Sequence, residues 1–97
     1  MLKAADVTTP PKHREAAPQR LPELGRRVRA ARRGFVPPWS MEQLARRASL
    51  STRTIVAIEL EGRITRRAAA ALARAFDLRV TGDPLAALEA GLPGARP

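Results

Sequence analysis

Two helix-start signals in close succession constrain the fold of this chain more than any other feature. Ser40 is followed three residues later by Gln43, a spacing typical of a capping box, and Ser51 begins a second segment with its own capping signal. Only residues 48–50 separate the two segments. Because so short a connection forces two helices to cross steeply, the pattern predicts a helix-turn-helix arrangement.

Apolar residues that recur at helical spacing predict the rest of the fold. The predicted helices are 22–33, 41–48, 52–61, 66–76 and 84–90. We therefore expect an all-α fold, a compact bundle of four to five helices that contains the helix-turn-helix. Phe35, Val36 and Trp39 lie in the loop before the capped pair, and we expect them to close the base of the core because they are too apolar to be left in water.

The chain divides into one domain and two tails. Residues 1–20 contain prolines and scattered charges without periodicity, which predicts a disordered basic N-terminal arm. We expect residues 21–92 to form the helix-turn-helix domain and residues 93–97 to fray. The arm has two interpretations: it follows a DNA groove or backbone, or it is an idle tail.

Positive charge points to the class of partner. The formal net charge is +9 over 97 residues, which favours a polyanion, and nucleic acid before a membrane surface. An arginine-rich and alanine-rich genomic composition is the alternative explanation. Arg63, Arg66 and Arg67 cluster at the start of the predicted helix 66–76, where positive charge opposes the helix dipole. A phosphate bound there would offset that cost.

Several classes of function are disfavoured by what the sequence lacks. The chain has no cysteine, so disulfides and thiolate metal sites are excluded, and its single histidine, His13, lies in the predicted arm. No metal is expected, because no His, Cys or carboxylate cluster has the spacing of metal ligands. No cofactor and no enzymatic activity is expected either, because there is no glycine-rich phosphate loop and no serine lies near a general base. No apolar run is long enough to span a membrane and no secretory signal is visible, so we expect a cytoplasmic protein.

The predicted helix 52–61 has an unusual outer side. Ile55 and Ile58 fall on the side expected to be buried. The opposite side carries Arg53, Val56, Ala57 and Leu60, with Thr52 at its edge. Apolar residues on an outer side are explained by contact with thymine methyl groups in a major groove, or by contact with a protein partner.

Three segments together resemble a known family. They are residues 39–45, WSMEQLA, residues 50–59, LSTRTIVAIE, and residues 69–78, AAALARAFDL. They match the patterns hydrophobic-Ser-x-x-x-Leu-Ala, Val-Ser-x-x-x-Ile-x-x-Ile-Glu, and a final helix rich in alanine and leucine. From Leu24 to about Leu78 the chain thus resembles phage-repressor-like (Xre-type, lambda-repressor-like) helix-turn-helix DNA-binding proteins.

The resemblance assigns roles to individual residues. The helix 52–61 is similar to the recognition helix of the family, so Thr52, Arg53 and Ala57 are expected to face base edges. Of these, only Arg53 is able to make a bidentate contact to guanine. Arg32 is expected to pair with Glu59 in a structural ion pair. The residues expected to contact phosphate, from the resemblance or from the charge clusters, are Ser51, Thr54, Arg46, Arg63, Arg66 and Arg67.

The chain also departs from the family pattern. Met41 stands where glutamine is usual, and Ser49 stands where a turn glycine is usual. The Ser49 position favours a positive φ, which serine adopts at some cost. The helix 52–61 carries one residue more than is usual before Gly62.

The leading hypothesis from the sequence is a sequence-specific transcriptional regulator, of the repressor type, that binds double-stranded DNA as a homodimer on a two-fold site. The alternative is a protein-interaction module of the same fold, such as an antitoxin that holds a toxin or a factor that docks on RNA polymerase, with weak or no DNA binding. A non-specific architectural protein lies between these two. For the regulator we expect a cytoplasmic location at the nucleoid.

Overall fold

Helices make up most of the described chain, and one short strand pair joins its start to its middle. The computed structural model describes residues 18–93. In chain order the elements are β1 (Gln19–Arg20), α1 (Pro22–Arg33), α2 (Met41–Ala48), α3 (Thr52–Val56), a π-helical segment (Ala57–Glu61), β2 (Arg63–Ile64), α4 (Arg66–Ala75) and α5 (Pro84–Gly91).

Side-chain caps explain where the helices begin. The hydroxyl of Ser40 accepts a hydrogen bond from the Gln43 N–H at 3.0 Å, and the Gln43 side chain accepts one from the Ser40 N–H at 2.8 Å. This completes the predicted capping box. Thr65 and Asp83 cap α4 and α5 through their side chains. The bounds of α1 and α2 are those predicted, and α4 and α5 each end within one residue of the predicted position.

The core is built from the apolar sides of all the helices, as expected for an all-α fold. Its largest fully buried side chains are Val28, Leu44, Ile55, Ile58, Ile64, Leu72, Leu88 and Leu92. Four buried alanines of α4 leave little side chain between that helix and its neighbours, which permits close packing. None of the helices within residues 18–93 is long and apolar enough to cross a membrane.

A two-stranded antiparallel ribbon adds to the helical fold and corrects the predicted boundary of the arm. The register pairs Gln19 with Ile64 and Arg20 with Arg63. The expectation of disorder up to residue 20 is wrong for β1, because the backbone of those residues pairs with β2. Residues 1–17 of the predicted arm and residues 94–97 of the predicted frayed end lie outside the described residues.

Two glycines let α1 approach the π segment closely. A Cβ atom built at Gly25 would overlap the carbonyl oxygen of Ile58. Gly62 ends the π segment with φ of 70°, and a Cβ atom built there would lie 2.5 Å from the Cα of Pro22. The absence of both side chains therefore sets the distance between α1 and the helical segment that follows α3.

The loop between α1 and α2 differs from its prediction at one position. Val36 was expected to help close the core, but it is 96% exposed, so that expectation is wrong. Phe35 and Trp39 are half-buried and stack with a centroid separation of 3.8 Å, and the Phe76 ring lies 6.0 Å from that of Trp39. The aromatic rings cover this edge of the core by stacking on one another, which leaves Val36 on the outside of the loop.

Candidate nucleic-acid interface

A tight turn fixed by two serines joins α2 to α3. Ser49 has φ of 57° and ψ of 41°, in the left-handed region, which confirms the positive φ expected at this position. The Leu50 N–H donates to the Ala45 carbonyl at 2.8 Å, so the backbone closes directly behind α2. The hydroxyl of Ser51 accepts from the Thr54 N–H at 3.1 Å and starts α3 at the next residue.

The helix α3 and the π segment have one buried side and one accessible side. Ile55 and Ile58 on the inner side are at most 1% exposed. On the outer side, Arg53 is exposed and Leu60 is 64% exposed. Thr52, Val56 and Ala57 are partly exposed. The residues assigned to base contact therefore lie on a side of the helix that residues 18–93 leave open to solvent.

A buried ion pair anchors the inner side. Arg32 donates from Nε to Glu59 Oε2 at 2.7 Å and from Nη2 to Oε1 at 2.9 Å. Its Nη1 donates to the Trp39 carbonyl at 2.7 Å. The pair expected from the resemblance is thus present in bidentate form, with Arg32 8% and Glu59 4% exposed. Because α1, the loop between α1 and α2, and the π segment each contribute a partner, the network fixes these three elements together.

The second half of the predicted helix 52–61 is π-helical rather than α-helical. The extent of the helix is as predicted, but residues Ala57–Glu61 form the wider turn. A π turn contains about one residue more than an α turn, so the segment before Gly62 holds about one residue more than an α-helical turn would. With this turn, Glu59 reaches Arg32 in the interior and Leu60 stays at the surface.

Arg63 and Arg66 have only weak carboxylate partners. Arg63 Nη2 lies 3.8 Å from Glu61 Oε1, and Arg66 Nε lies 3.6 Å from Asp83 Oδ1. All four side chains are more than half exposed. Ion pairs that are this long and this exposed contribute little to folding stability, because water and salt screen them. Both guanidinium groups are therefore accessible to an incoming anion.

A surface groove brings together two of the residues expected to contact phosphate. It has a volume of about 610 Å³ and lies between the α2–α3 turn and α4. Its lining comprises Ala48, Ser49, Leu50, Thr54, Thr65, Arg67, Ala68, Ala70, Ala71 and Arg74. Thr54 and Arg67 meet here, whereas Ser51, Arg46 and Arg66 lie outside the lining. The Ser51 and Thr54 hydroxyl oxygens are 2.9 Å apart and hydrogen-bond with each other.

Two arginine contacts were not anticipated from the sequence. Arg27 Nη2 donates to the carbonyls of Glu89 at 2.5 Å and Leu92 at 2.9 Å, at the C-terminal end of α5. A cation there complements the helix dipole. The Arg47 guanidinium lies 4.4 Å from the Trp39 ring centroid, a cation–π contact. Helical spacing places Arg27 only at the border of the apolar stripe of α1, and nothing in the sequence indicates the contact of Arg47 with Trp39.

Within residues 18–93, no three His, Cys, Asp or Glu side chains lie where they could hold a metal ion. Comparison of the chain with protein-family models, with curated proteins and with solved structures gives no match.

Proposed function

We propose that this chain is a sequence-specific DNA-binding transcriptional regulator of the repressor type. In this proposal α2 and α3 form a helix-turn-helix, and α3 enters the major groove. The observation that carries the proposal is the accessible outer side of α3, where Arg53 is exposed while Ile55 and the Arg32–Glu59 pair hold the inner side. A contact helix needs a rigid support, and these buried contacts supply it.

Base contacts are assigned to the first turns of α3. Arg53 donates two hydrogen bonds to a guanine edge, the geometry to which a guanidinium is suited. Ala57 contacts a thymine methyl group, and Thr52 contacts a base edge from the side of the helix. The partial exposure of Thr52 and Ala57 beside an exposed Arg53 supports this assignment.

Backbone contacts are assigned to the hydroxyls and arginines around α3. They comprise Ser51, Thr54, Arg46, Arg63, Arg66 and Arg67. Exposed ion pairs such as those of Arg63 and Arg66 contribute about 0–1 kcal/mol to folding stability. Each arginine can therefore exchange its carboxylate partner for a DNA phosphate at little cost. The net charge of +9 supports the same assignment, since binding of a polyanion releases condensed counterions.

The proposal includes a homodimer on a two-fold DNA site. Helix-turn-helix dimers place their two contact helices in successive major grooves about 34 Å apart. The capped pair α2 and α3 supports membership of the phage-repressor-like family, and for such a regulator we propose a place at the nucleoid in the cytoplasm. No cofactor and no catalytic step is part of the proposal.

Selection of bound fragments from random-sequence duplex DNA tests the proposed function. A two-fold motif should be enriched, and its affinity should exceed that of random duplex by about 10³-fold or more at physiological salt. Binding without an enriched motif would instead indicate an architectural protein. Absence of salt-dependent binding to any duplex would contradict the proposal.

The second candidate is a protein-interaction module, for example one that binds a toxin or RNA polymerase. Leu60 favours it, because a leucine that is 64% exposed next to Val56 and Ala57 makes the outer side partly apolar. A gel shift with random duplex at two salt concentrations discriminates the candidates. A steep loss of binding with salt supports the regulator, and no binding near physiological salt supports the module.

A further inference from the structure

The β1–β2 ribbon places two arginines directly opposite each other. Its register pairs Arg20 with Arg63. Directly opposed residues of an antiparallel pair project from the same face, with their Cβ atoms about 5 Å apart. Ile64, the next residue of β2, is 2% exposed and therefore faces the core. Since successive strand residues point to opposite faces, Arg20 and Arg63 project away from the core, where both are exposed.

The charges of this arginine pair are poorly neutralised within residues 18–93. The nearest carboxylate to Arg63 is that of Glu61 at 3.8 Å, and it is itself more than half exposed. Arg20 makes no side-chain hydrogen bond or ion pair with any other residue of this range. Like charges opposed across two strands are destabilising. The ribbon therefore folds with an electrostatic cost that a bound anion would remove.

We propose that Arg20 and Arg63 form a phosphate-binding pair that contacts the backbone of the DNA duplex. This inference rests on the proposed function and adds Arg20, which the sequence assigned to a disordered arm, to the residues that contact phosphate. A phosphate between two guanidinium groups accepts charge-assisted hydrogen bonds from both. Arg66, at the first position of α4, follows Arg63 by three residues and is also exposed.

A pair of variants with equal net charge tests the site. Arg20→Gln removes one charge from the ribbon, and Arg29→Gln removes one from an exposed position of α1. Binding to a random-sequence duplex is measured between about 50 and 200 mM salt. For Arg20→Gln, the slope of log affinity against log salt should be shallower by about 0.9. The ratio of wild-type to variant affinity should therefore fall about threefold across this range of salt. Arg29→Gln should keep the wild-type slope.

Thermal unfolding without DNA gives a second readout. Arg20→Gln should raise the melting temperature, because it removes a like-charge contact, and Arg29→Gln should leave it unchanged. Arg20→Lys keeps the charge and should keep the wild-type salt slope. Addition of inorganic phosphate distinguishes a free anion from a DNA backbone as the source of the phosphate.

Each outcome supports or overturns the inference. Equal salt slopes for Arg20→Gln and Arg29→Gln would overturn the site while the proposed function stands. A lower melting temperature for Arg20→Gln would show that the arginine stabilises the ribbon, which contradicts the like-charge argument. Stabilisation by inorganic phosphate as strong as that by duplex at equal phosphate concentration would overturn the assignment to DNA. Failure of the wild-type chain to bind any duplex would overturn both the site and the proposed function.

Discussion

The inner and outer sides of α3 and its π extension both carry charged and apolar residues, but these residues differ in burial and pairing. On the inner side a charged residue, Glu59, is buried and holds Arg32 through two hydrogen bonds. On the outer side Arg53 is exposed, and Leu60, seven residues further along, is 64% exposed despite being apolar. The buried charges of the inner side are paired with each other, whereas Arg53 on the outer side has no ion-pair or hydrogen-bond partner within residues 18–93.

This difference separates the residues that stabilise the fold from the residues that are available for binding. A buried arginine with a complete set of partners fixes neighbouring elements, and its loss is expected to affect stability. An exposed arginine without such partners contributes little to folding, and its loss is expected to affect binding. Variants that change one side and leave the other intact separate the effect on stability from the effect on binding.

The largest effect is expected at the buried ion pair. Glu59→Gln should lower the free energy of unfolding by about 3–5 kcal/mol, because it leaves the Arg32 charge buried without a compensating carboxylate. Urea denaturation measures this change. Glu61→Gln, at an exposed carboxylate, is the matched control and should change stability by about 0.5 kcal/mol or less.

A double variant tests whether the loss comes from the uncompensated charge. Arg32→Met combined with Glu59→Leu should recover much of the stability lost in Glu59→Gln, since no charge then remains buried. If Glu59→Gln proved as stable as the wild-type chain, the claim that the inner side is held by this pair would be wrong.

A smaller loss is expected where α1 crosses the π segment. Gly25→Ala should destabilise the protein by about 1–3 kcal/mol, because the new methyl group meets the Ile58 carbonyl and forces the two elements apart. Gly34→Ala is the control, since Gly34 has φ of −81°, which alanine adopts readily, and its effect should stay below about 1 kcal/mol. Equal effects of the two substitutions in thermal unfolding would contradict the close crossing.

The smallest effects are expected in the turn that orients α3, and they have opposite signs. Ser49→Gly should stabilise the protein by about 1 kcal/mol, because glycine adopts the left-handed conformation without steric cost. Ser51→Ala should destabilise it by about 1 kcal/mol, because the cap of α3 is lost. Denaturant midpoints measured on both variants test the sign, and two changes in the same direction would contradict this description of the turn.

Features with a local physical cause were predictable from the sequence. Ser40 with Gln43, and Ser51 before an apolar stripe, mark helix starts through hydrogen bonds between neighbouring residues, so the starts of α2 and α3 agree with prediction. Apolar periodicity identified the inner side of α3 because Ile55 and Ile58 recur at helical spacing. The Arg32–Glu59 pair came from the family resemblance and had no local signal.

Features that depend on contacts between distant segments were missed. The strand β1 is two residues long, too short for any alternation, and it exists because β2 lies beside it. The π turn accompanies the contact of Glu59 with Arg32, which lies 27 residues away in the sequence. Val36 is apolar like Phe35 and Trp39, but those two rings stack on each other and Val36 stays outside. Tertiary packing decided each of these.

The most direct test of the account measures binding by an Arg53→Ala variant to the DNA site selected by the wild-type chain, with random duplex as competitor. Arg29→Ala serves as the control of equal charge. We expect Arg53→Ala to lower the preference for the selected site about 5- to 150-fold without a change in melting temperature, and Arg29→Ala to keep that preference. A folded Arg53→Ala variant that retains the full preference would contradict the assignment of α3 to the major groove.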